Sequence, residues 1–277
     1  MRLKHIILFI LLMITGSANA EGQLSNGQRL EPDNFHFIQW FGRTILNKDY
    51  AELRYTMEGF SMVFSGSSLS MQCEESKDTY LGVIVDKGEM KKVRLDKADV
   101  VLAENLDKDR LHFIQVYKLT EFQTGSVRIM SFDIKEGGIG INADLINPNK
   151  IIFEFIGNSI TCGYGNEGNY DAEHALTGFH PENENGYLAW GALATRNMEH
   201  SPLYSSVCYS GRGLIYNNDG STKGLIPELY EEAITNGQKF NPDLIVVNAG
   251  TNDFLLLVRE LFRSLWTNSL MHTASSF

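Results

Sequence analysis

Three short segments hold the residues from which a reaction could be assembled: Gly157-Asn158-Ser159, Ser210-Gly211-Arg212-Gly213 and Gly250-Thr251-Asn252-Asp253. A serine on a tight turn presents its hydroxyl to solvent and keeps its amide free. That suits a nucleophile which also helps to bind the oxyanion it generates. Ser159 fits this role, Gly211 adds a second amide, and the Asn252 carboxamide adds a third donor. Together these groups describe attack on an acyl carbonyl. The same Gly-x-Ser pattern also has a plainer use, with the glycine permitting a sharp turn and the serine capping the next helix. Three such junctions in succession favour the chemical reading.

A serine hydroxyl is a weak nucleophile until a base takes its proton. After Asp253 the chain runs for 24 residues and carries one histidine, His272, within Ser269-Leu270-Met271-His272-Thr273. His174, His180 and His200 precede the third segment without a motif and read as surface or loop residues. Tyr164 and Trp190 are candidates for an aromatic wall against a sugar ring, although Trp190, at helical spacing, also reads as core. Asp253 reads as the cap of a following helix. No group of His, Cys, Asp and Glu has ligand spacing, so neither a metal nor a cofactor is expected. Cys73, Cys162 and Cys208 read as small buried residues, and Cys162 can pair with Cys208 only if their backbones approach.

Each of the three segments follows an apolar run of the kind found in buried parallel strands: Ile151 to Ile156, Leu203 to Tyr209 and Leu244 to Val247. An open parallel sheet places ligands outside the carboxyl ends of its strands, where these segments fall. Helical spacing over Gly186 to Asn197 and Ile226 to Ala233 fills the gaps, which makes this half α/β. A last amphipathic stretch, with Phe254, Val258, Leu261, Phe262, Leu265 and Trp266 on one stripe, is suited to packing on a sheet.

From about Phe35 to Ala143 the chain reads instead as short strands broken by Gly, Asp, Asn and Lys. The clearest runs are Ala51 to Met57, Phe60 to Phe64, Ser68 to Cys73, Tyr80 to Val85, Lys92 to Leu95, His112 to Leu119 and Val127 to Asp133, spaced as an antiparallel β-sandwich requires. Phe113, Tyr117 and Leu119 share one face of their run and Ile114 and Val116 the other, as in a strand inside a two-layer stack. Gly137-Gly138 and Asn147-Pro148-Asn149 mark the boundary. At the N-terminus Arg2, Lys4 and His5 precede the apolar run Ile6 to Ile14 and then Ala18-Asn19-Ala20, the pattern of a secretory signal cleaved before Glu21. The expected organisation is a signal over 1–20, a β-sandwich over 21–145 and a parallel-sheet domain over 146–277.

A chain that is 43% hydrophobic and 21% charged is globular rather than low-complexity. Its 24 Lys and Arg against 34 Asp and Glu give a net charge of −10 without basic blocks, so no nucleic-acid partner is expected. No stretch after the signal approaches about 18 consecutive apolar residues, so an exported protein with no membrane partner is expected after cleavage.

The three segments resemble the first three blocks of the SGNH (GDSL-type) hydrolases, with Ser159 in the first, Gly211 in the second and Asn252 in the third. A narrower likeness runs through Ile160-Thr161-Cys162-Gly163-Tyr164-Gly165, Tyr187-Leu188-Ala189-Trp190-Gly191-Ala192, Ser210-Gly211-Arg212-Gly213 and Pro227-Glu228-Leu229-Tyr230. These look like the acetyl-xylan esterases of carbohydrate esterase family two. Gly42-Arg43 and His112 to Glu121, including Lys118-Leu119-Thr120-Glu121, resemble segments of the N-terminal jelly-roll domain of those enzymes. The resemblance implies a jelly roll followed by an SGNH hydrolase domain. It also implies serine-dependent removal of acetyl groups from polysaccharides such as xylan or glucomannan, with Ser159 attacking and the Ser159 and Gly211 amides and the Asn252 side chain holding the oxyanion.

Two features depart from the family. Asn158 stands where the wider superfamily usually has Asp, and the family's catalytic histidine lies well beyond the third block, after another strand and helix. The expectation is a chain shortened or frameshifted soon after Asp253, with an incomplete hydrolase domain, an exposed edge strand and impaired catalysis unless His272 acts as base. The competing reading is a non-catalytic protein that binds carbohydrate through its β-sandwich. A third is an acyl hydrolase of lipids or small acetyl esters, and the lack of a long apolar lid or amphipathic surface helix before Tyr187 speaks against lipids.

Overall fold

A computed structural model describes residues 27–74, 76–141, 151–168, 180–198, 202–255, 257–260 and 263. The expected signal, the turn at Asn147-Pro148-Asn149, and His174, His200 and His272 lie outside the described residues. No described helix is long and apolar enough to cross a membrane.

The N-terminal half consists of strands β1 (Gly27–Leu30), β2 (Gln39–Phe41), β3 (Ile45–Leu46), β4 (Ala51–Leu53), β5 (Gly59–Ser65), β6 (Ser68–Cys73), β7 (Ser76–Val85), β8 (Lys91–Leu95), β9 (Asp99–Ala103), β10 (Leu111–Lys118), β11 (Val127–Lys135) and β12 (Gly138–Ile141). They form two antiparallel sheets, one ordered β3-β4-β11-β6-β9 with β1 also on β11, the other β12-β5-β10-β7-β8 with β2 also on β5. All seven expected runs become strands. Ala51 to Met57 shortens to Ala51–Leu53 because the chain turns out of the sheet, with Met57 at φ 64°.

Alternation sets the core between the sheets. Along β11 Val127 and Ile129 point inward, a register shift between Ile129 and Ser131 changes the parity, and Phe132 and Ile134 then point inward. Phe132 meets Phe60 of the facing sheet edge-on, with ring centroids 5.0 Å apart. On β10 the inner face is Ile114 and Val116, both fully buried. Its outer face is apolar for a reason the period alone does not show: Tyr117 packs against Phe41 and against Tyr187 of the C-terminal half.

That half is a parallel sheet. It contains β13 (Ile152–Gly157), α1 (Ser159–Cys162), α2 (Trp190–Arg196), β14 (Leu203–Cys208), α3 (Ile226–Asn236) and β15 (Leu244–Asn248). The strand order is β14-β13-β15. The helix expected over Gly186 to Asn197 is interrupted at Ala189, whose extended backbone separates a turn of 3₁₀-helix at Gly186–Leu188 from α2. Residues 251–255 are helical.

The two halves share a core of Met57, Tyr80 and Leu119 from the sandwich against Phe155, Ala192 and Tyr204. They also share a buried ion pair. Arg43 donates from Nε and Nη2 to the two carboxylate oxygens of Glu154 on β13, each at 2.9 Å, and the Tyr230 hydroxyl donates to the same carboxylate at 2.7 Å. Burial opposes the Arg43 charge, but the hydrogen bonds and charge of Glu154 outweigh it and raise the guanidinium pKa. β15 is an edge strand among the described residues, with Leu244, Ile245 and Val247 all exposed.

Candidate active site

The register of the parallel sheet brings the three segments to one edge. Gly157, the last residue of β13, is paired with Cys208 on one side and Asn248 on the other, so all three strands end level. Gly157 is required there: a Cβ would come within 2.2 Å of Thr161 Oγ1 and 2.7 Å of the Asn248 carbonyl oxygen. The chain turns at once into α1, whose N-cap is Asn158, with its side chain accepting from the Ile160 amide. The capping role considered for Ser159 therefore belongs to Asn158, and Ser159 is the first residue of the helix.

Ser159 is half-buried and opens onto a concavity of about 280 Å³ lined also by Ile160, Gly163, Tyr164, Asn166 and Trp190. Both proposed aromatic residues are there. Tyr164 is held by its amide, which donates to the Ser159 carbonyl at 3.0 Å. Trp190 packs edge-on against Phe155, with centroids 5.0 Å apart, and also lines the concavity. Among the described residues no histidine lines it, and His180 is exposed as expected.

The second segment is a loop with Gly211 at φ 75°, a left-handed conformation that favours glycine. The third segment clamps it. Asn252 Nδ2 donates to the Arg212 carbonyl at 2.6 Å, which engages one of its two N–H bonds beside Gly211. The Asp253 carboxylate accepts from the amides of Leu214, Ile215 and Tyr216 at 2.9, 2.6 and 2.9 Å. Burial opposes that charge, but the three amides outweigh it and hold the Asp253 pKa below its ordinary value. Asp253 thus shapes the loop of the second segment, a role that its position after a strand does not reveal.

Beneath α1 lies a polar cluster that ligand spacing in the sequence does not show. Glu121, Cys162 and Glu184 each bring a potential ligand atom within 4.8 Å of the others. Protein donors already serve it: the Ser210 amide and Gln123 Nε2 donate to Glu121 Oε2, and the Glu121 amide donates to Glu184 Oε1. The buried Lys118 ammonium donates to the carbonyls of Thr120 and Glu121 at 2.6 and 2.8 Å. Burial, reinforced by the Glu121 charge, pushes the Glu184 carboxyl up to about 9. Burial lowers Lys118 to about 8, against the pull of Glu184, Glu58 and Glu121. These contacts tie the cluster into a network with the protein's own donors. The Cys162 and Cys208 thiols are neighbours within hydrogen-bonding reach, both free, and burial followed by that contact pushes Cys162 well up.

Comparison with known proteins agrees with both halves. Residues 40–142 match the family model of the carbohydrate esterase 2 N-terminal domain. The chain is 32% identical over 199 residues to the cellulase/esterase CelE of Acetivibrio thermocellus, covering 69% of this chain and 23% of that protein. It is 26% identical over 269 residues to an acetylxylan esterase / glucomannan deacetylase of Cellvibrio japonicus, covering 90% of this chain and 71% of the relative. A family two carbohydrate esterase from Clostridium thermocellum, solved in complex with cellohexaose, superposes with a TM-score of 0.66 at 28% identity, over 78% of this chain and 66% of that one. A family two esterase structure from Cellvibrio japonicus gives 0.69 at 23% identity, over 83% and 69%, a likeness of fold. The chain thus spans less than a quarter of the first of these relatives and about seven tenths of the second.

Proposed function

We propose that this chain, whose residues 40–142 match the carbohydrate esterase 2 N-terminal domain, is a family two esterase, exported, that uses a serine to remove O-acetyl groups from plant cell-wall polysaccharide, xylan or glucomannan. In this reading the sandwich, over 21–145 after a signal at 1–20, is a jelly roll, and 146–277 is the SGNH hydrolase domain. The observation that carries the proposal is the level ending of β13, β14 and β15, which delivers Ser159, Gly211 and Asn252 to one edge of the sheet.

Ser159 Oγ attacks the acetyl carbonyl, and the charge that develops on its oxygen is met by the amides of Ser159 and Gly211 and by the remaining N–H of Asn252 Nδ2. Neither of the two amides has an acceptor among the described residues. Collapse expels the sugar hydroxyl and leaves acetyl-Ser159, which water hydrolyses to acetate. A base takes the serine proton and returns it to the leaving sugar oxygen. His272, outside the described residues, is the histidine to test for that role. Tyr164 and Trp190 form the apolar wall against which the sugar would lie.

The test is acetate release from acetylated xylan and acetylated glucomannan, and 4-nitrophenol release from its acetate, by wild type, Ser159→Ala and His272→Ala. Ser159→Ala should lower the rate by about a thousandfold or more. Equal rates in all three proteins would refute the mechanism, and retention of the wild-type chain on insoluble polysaccharide would then identify it as a binder.

A further inference from the structure

Glu121 takes no part in the reaction just described, yet it touches the second segment and the helix that Ser159 begins. It belongs to the sandwich half, three residues past the end of β10, and is 2% exposed. Lys118 Nζ, by donating to the Thr120 and Glu121 carbonyls, curls the chain there. The Glu121 carboxylate then reaches across the junction between the halves. Its Oε2 accepts from the Ser210 amide at 2.7 Å, and Ser210 directly precedes Gly211. The same oxygen lies 3.8 Å from the thiol of Cys162, which closes the four-residue helix begun by Ser159. Gln123 braces the arrangement, donating to Glu121 Oε2 at 3.0 Å and to the Ser210 carbonyl at 2.9 Å. A second tie runs from the Glu121 amide to Glu184 Oε1 at 3.0 Å, and the backbone after Glu184 meets the C-cap of α1, where the Asn185 amide donates to the Gly163 carbonyl at 3.2 Å.

We propose that Glu121 is a positioning residue: one sandwich carboxylate fixes the Ser210-Gly211 turn and the Ser159 helix relative to each other, so that their amides converge on one oxyanion. The consequence for catalysis rests on the function proposed above, whereas the consequence for the geometry does not. Backbone donors contribute most when preorganised, because they then need no reorientation as charge develops. Removing the carboxylate frees the Ser210 amide and leaves the turn held only through its carbonyls, by Gln123 at Ser210, the Asn218 amide at Gly211 and Asn252 at Arg212.

The experiment compares wild type, Glu121→Ala, the near-isosteric Glu121→Gln and, at an exposed position, Gln123→Leu. Amide hydrogen exchange is followed in peptides covering 159–163 and 209–213, with 127–135 on β11 as control, beside kcat and KM for 4-nitrophenyl acetate. In Glu121→Ala, exchange in 209–213 should rise at least about tenfold with the control unchanged, while kcat falls about 10- to 100-fold and KM stays within about twofold. Glu121→Gln and Gln123→Leu should move the same readouts less. Unchanged exchange at 209–213, or an equal rise in the control, would overturn the proposal, and so would a loosened turn with unaltered kcat. If wild type and Ser159→Ala release acetate equally, the esterase reading fails on its own, and the exchange data alone decide whether Glu121 holds the turn.

Discussion

The two halves of the molecule bury their strands in different ways. In the sandwich each sheet covers the other, and Phe60, Met62, Met71, Ile129 and Phe132 are all fully buried between them. Among the described residues, β13 is the one strand of the parallel sheet with a strand on each side. Phe155 and Ile156 are buried, whereas Leu244, Ile245 and Val247 on β15 stay exposed. Much of what covers the parallel sheet comes from the sandwich: Met57, Tyr80 and Leu119 pack against Phe155 and Tyr204, and Arg43 neutralises Glu154. The difference teaches that the sandwich is self-sufficient, and that the half carrying Ser159 depends on it for burial, charge compensation and, through Glu121, the shape of its loops.

Substitutions can break or sharpen this contrast. The largest effect on stability is expected for Phe132→Ala, which empties the sandwich core and should cost about 3–5 kcal/mol by chemical denaturation, with both halves unfolding together. Arg43→Ala leaves Glu154 buried without its cation and should cost about 3–5 kcal/mol as well, but with protection lost first in β13 and β14. A loss spread evenly over both halves would contradict the dependence argued here.

Between these and the surface lies Glu58, whose burial pushes its carboxyl up to about 7 although the Arg54 and Tyr55 amides and the Lys118 charge pull it down. A carboxyl whose pKa is higher in the folded state than in the unfolded chain stabilises while protonated. Its contribution is complete below about pH 4.5 and disappears as the pH rises towards 7. Thermal denaturation should therefore show Tm falling from pH 5 to 7, with a stability loss of about 2 kcal/mol from this group, and Glu58→Gln should flatten the fall. Glu184, raised to about 9, extends the decline to higher pH, while Lys118, lowered to about 8, opposes it above that value. The smallest effect is expected for Val247→Ser on the exposed strand, within about 0.5 kcal/mol in the same denaturation assay. A loss of several kcal/mol there would mean that β15 is covered in solution.

Much of this was legible in the sequence, because strand period and glycine-bearing strand ends are local signals. Ser68–Cys73 falls on the expected run, and Ser159, Tyr164 and Trp190 share one concavity. What escaped depends on distant partners. Nothing near Asp253 reveals that its carboxylate binds the amides of residues 214–216, and nothing near Glu121 shows that its carboxylate meets Ser210, 89 residues away. Lys118 did leave a trace. It continues the inward face of Ile114 and Val116, so the alternation itself buries a charge and demands partners for it. The spacing of Trp190 could not separate core from surface because its ring both packs on Phe155 and lines the concavity.

The most direct test of the dependence of one half on the other is native-state hydrogen exchange of the wild-type chain as denaturant is raised. Amides of Phe155, Ile156 and Val207 should open at a free energy at least about 2 kcal/mol below those of Met62, Ile129 and Phe132, which should exchange only with global unfolding. If both sets follow one opening isotherm, the molecule is a single cooperative unit, and the account of a self-sufficient sandwich carrying a dependent parallel sheet is wrong.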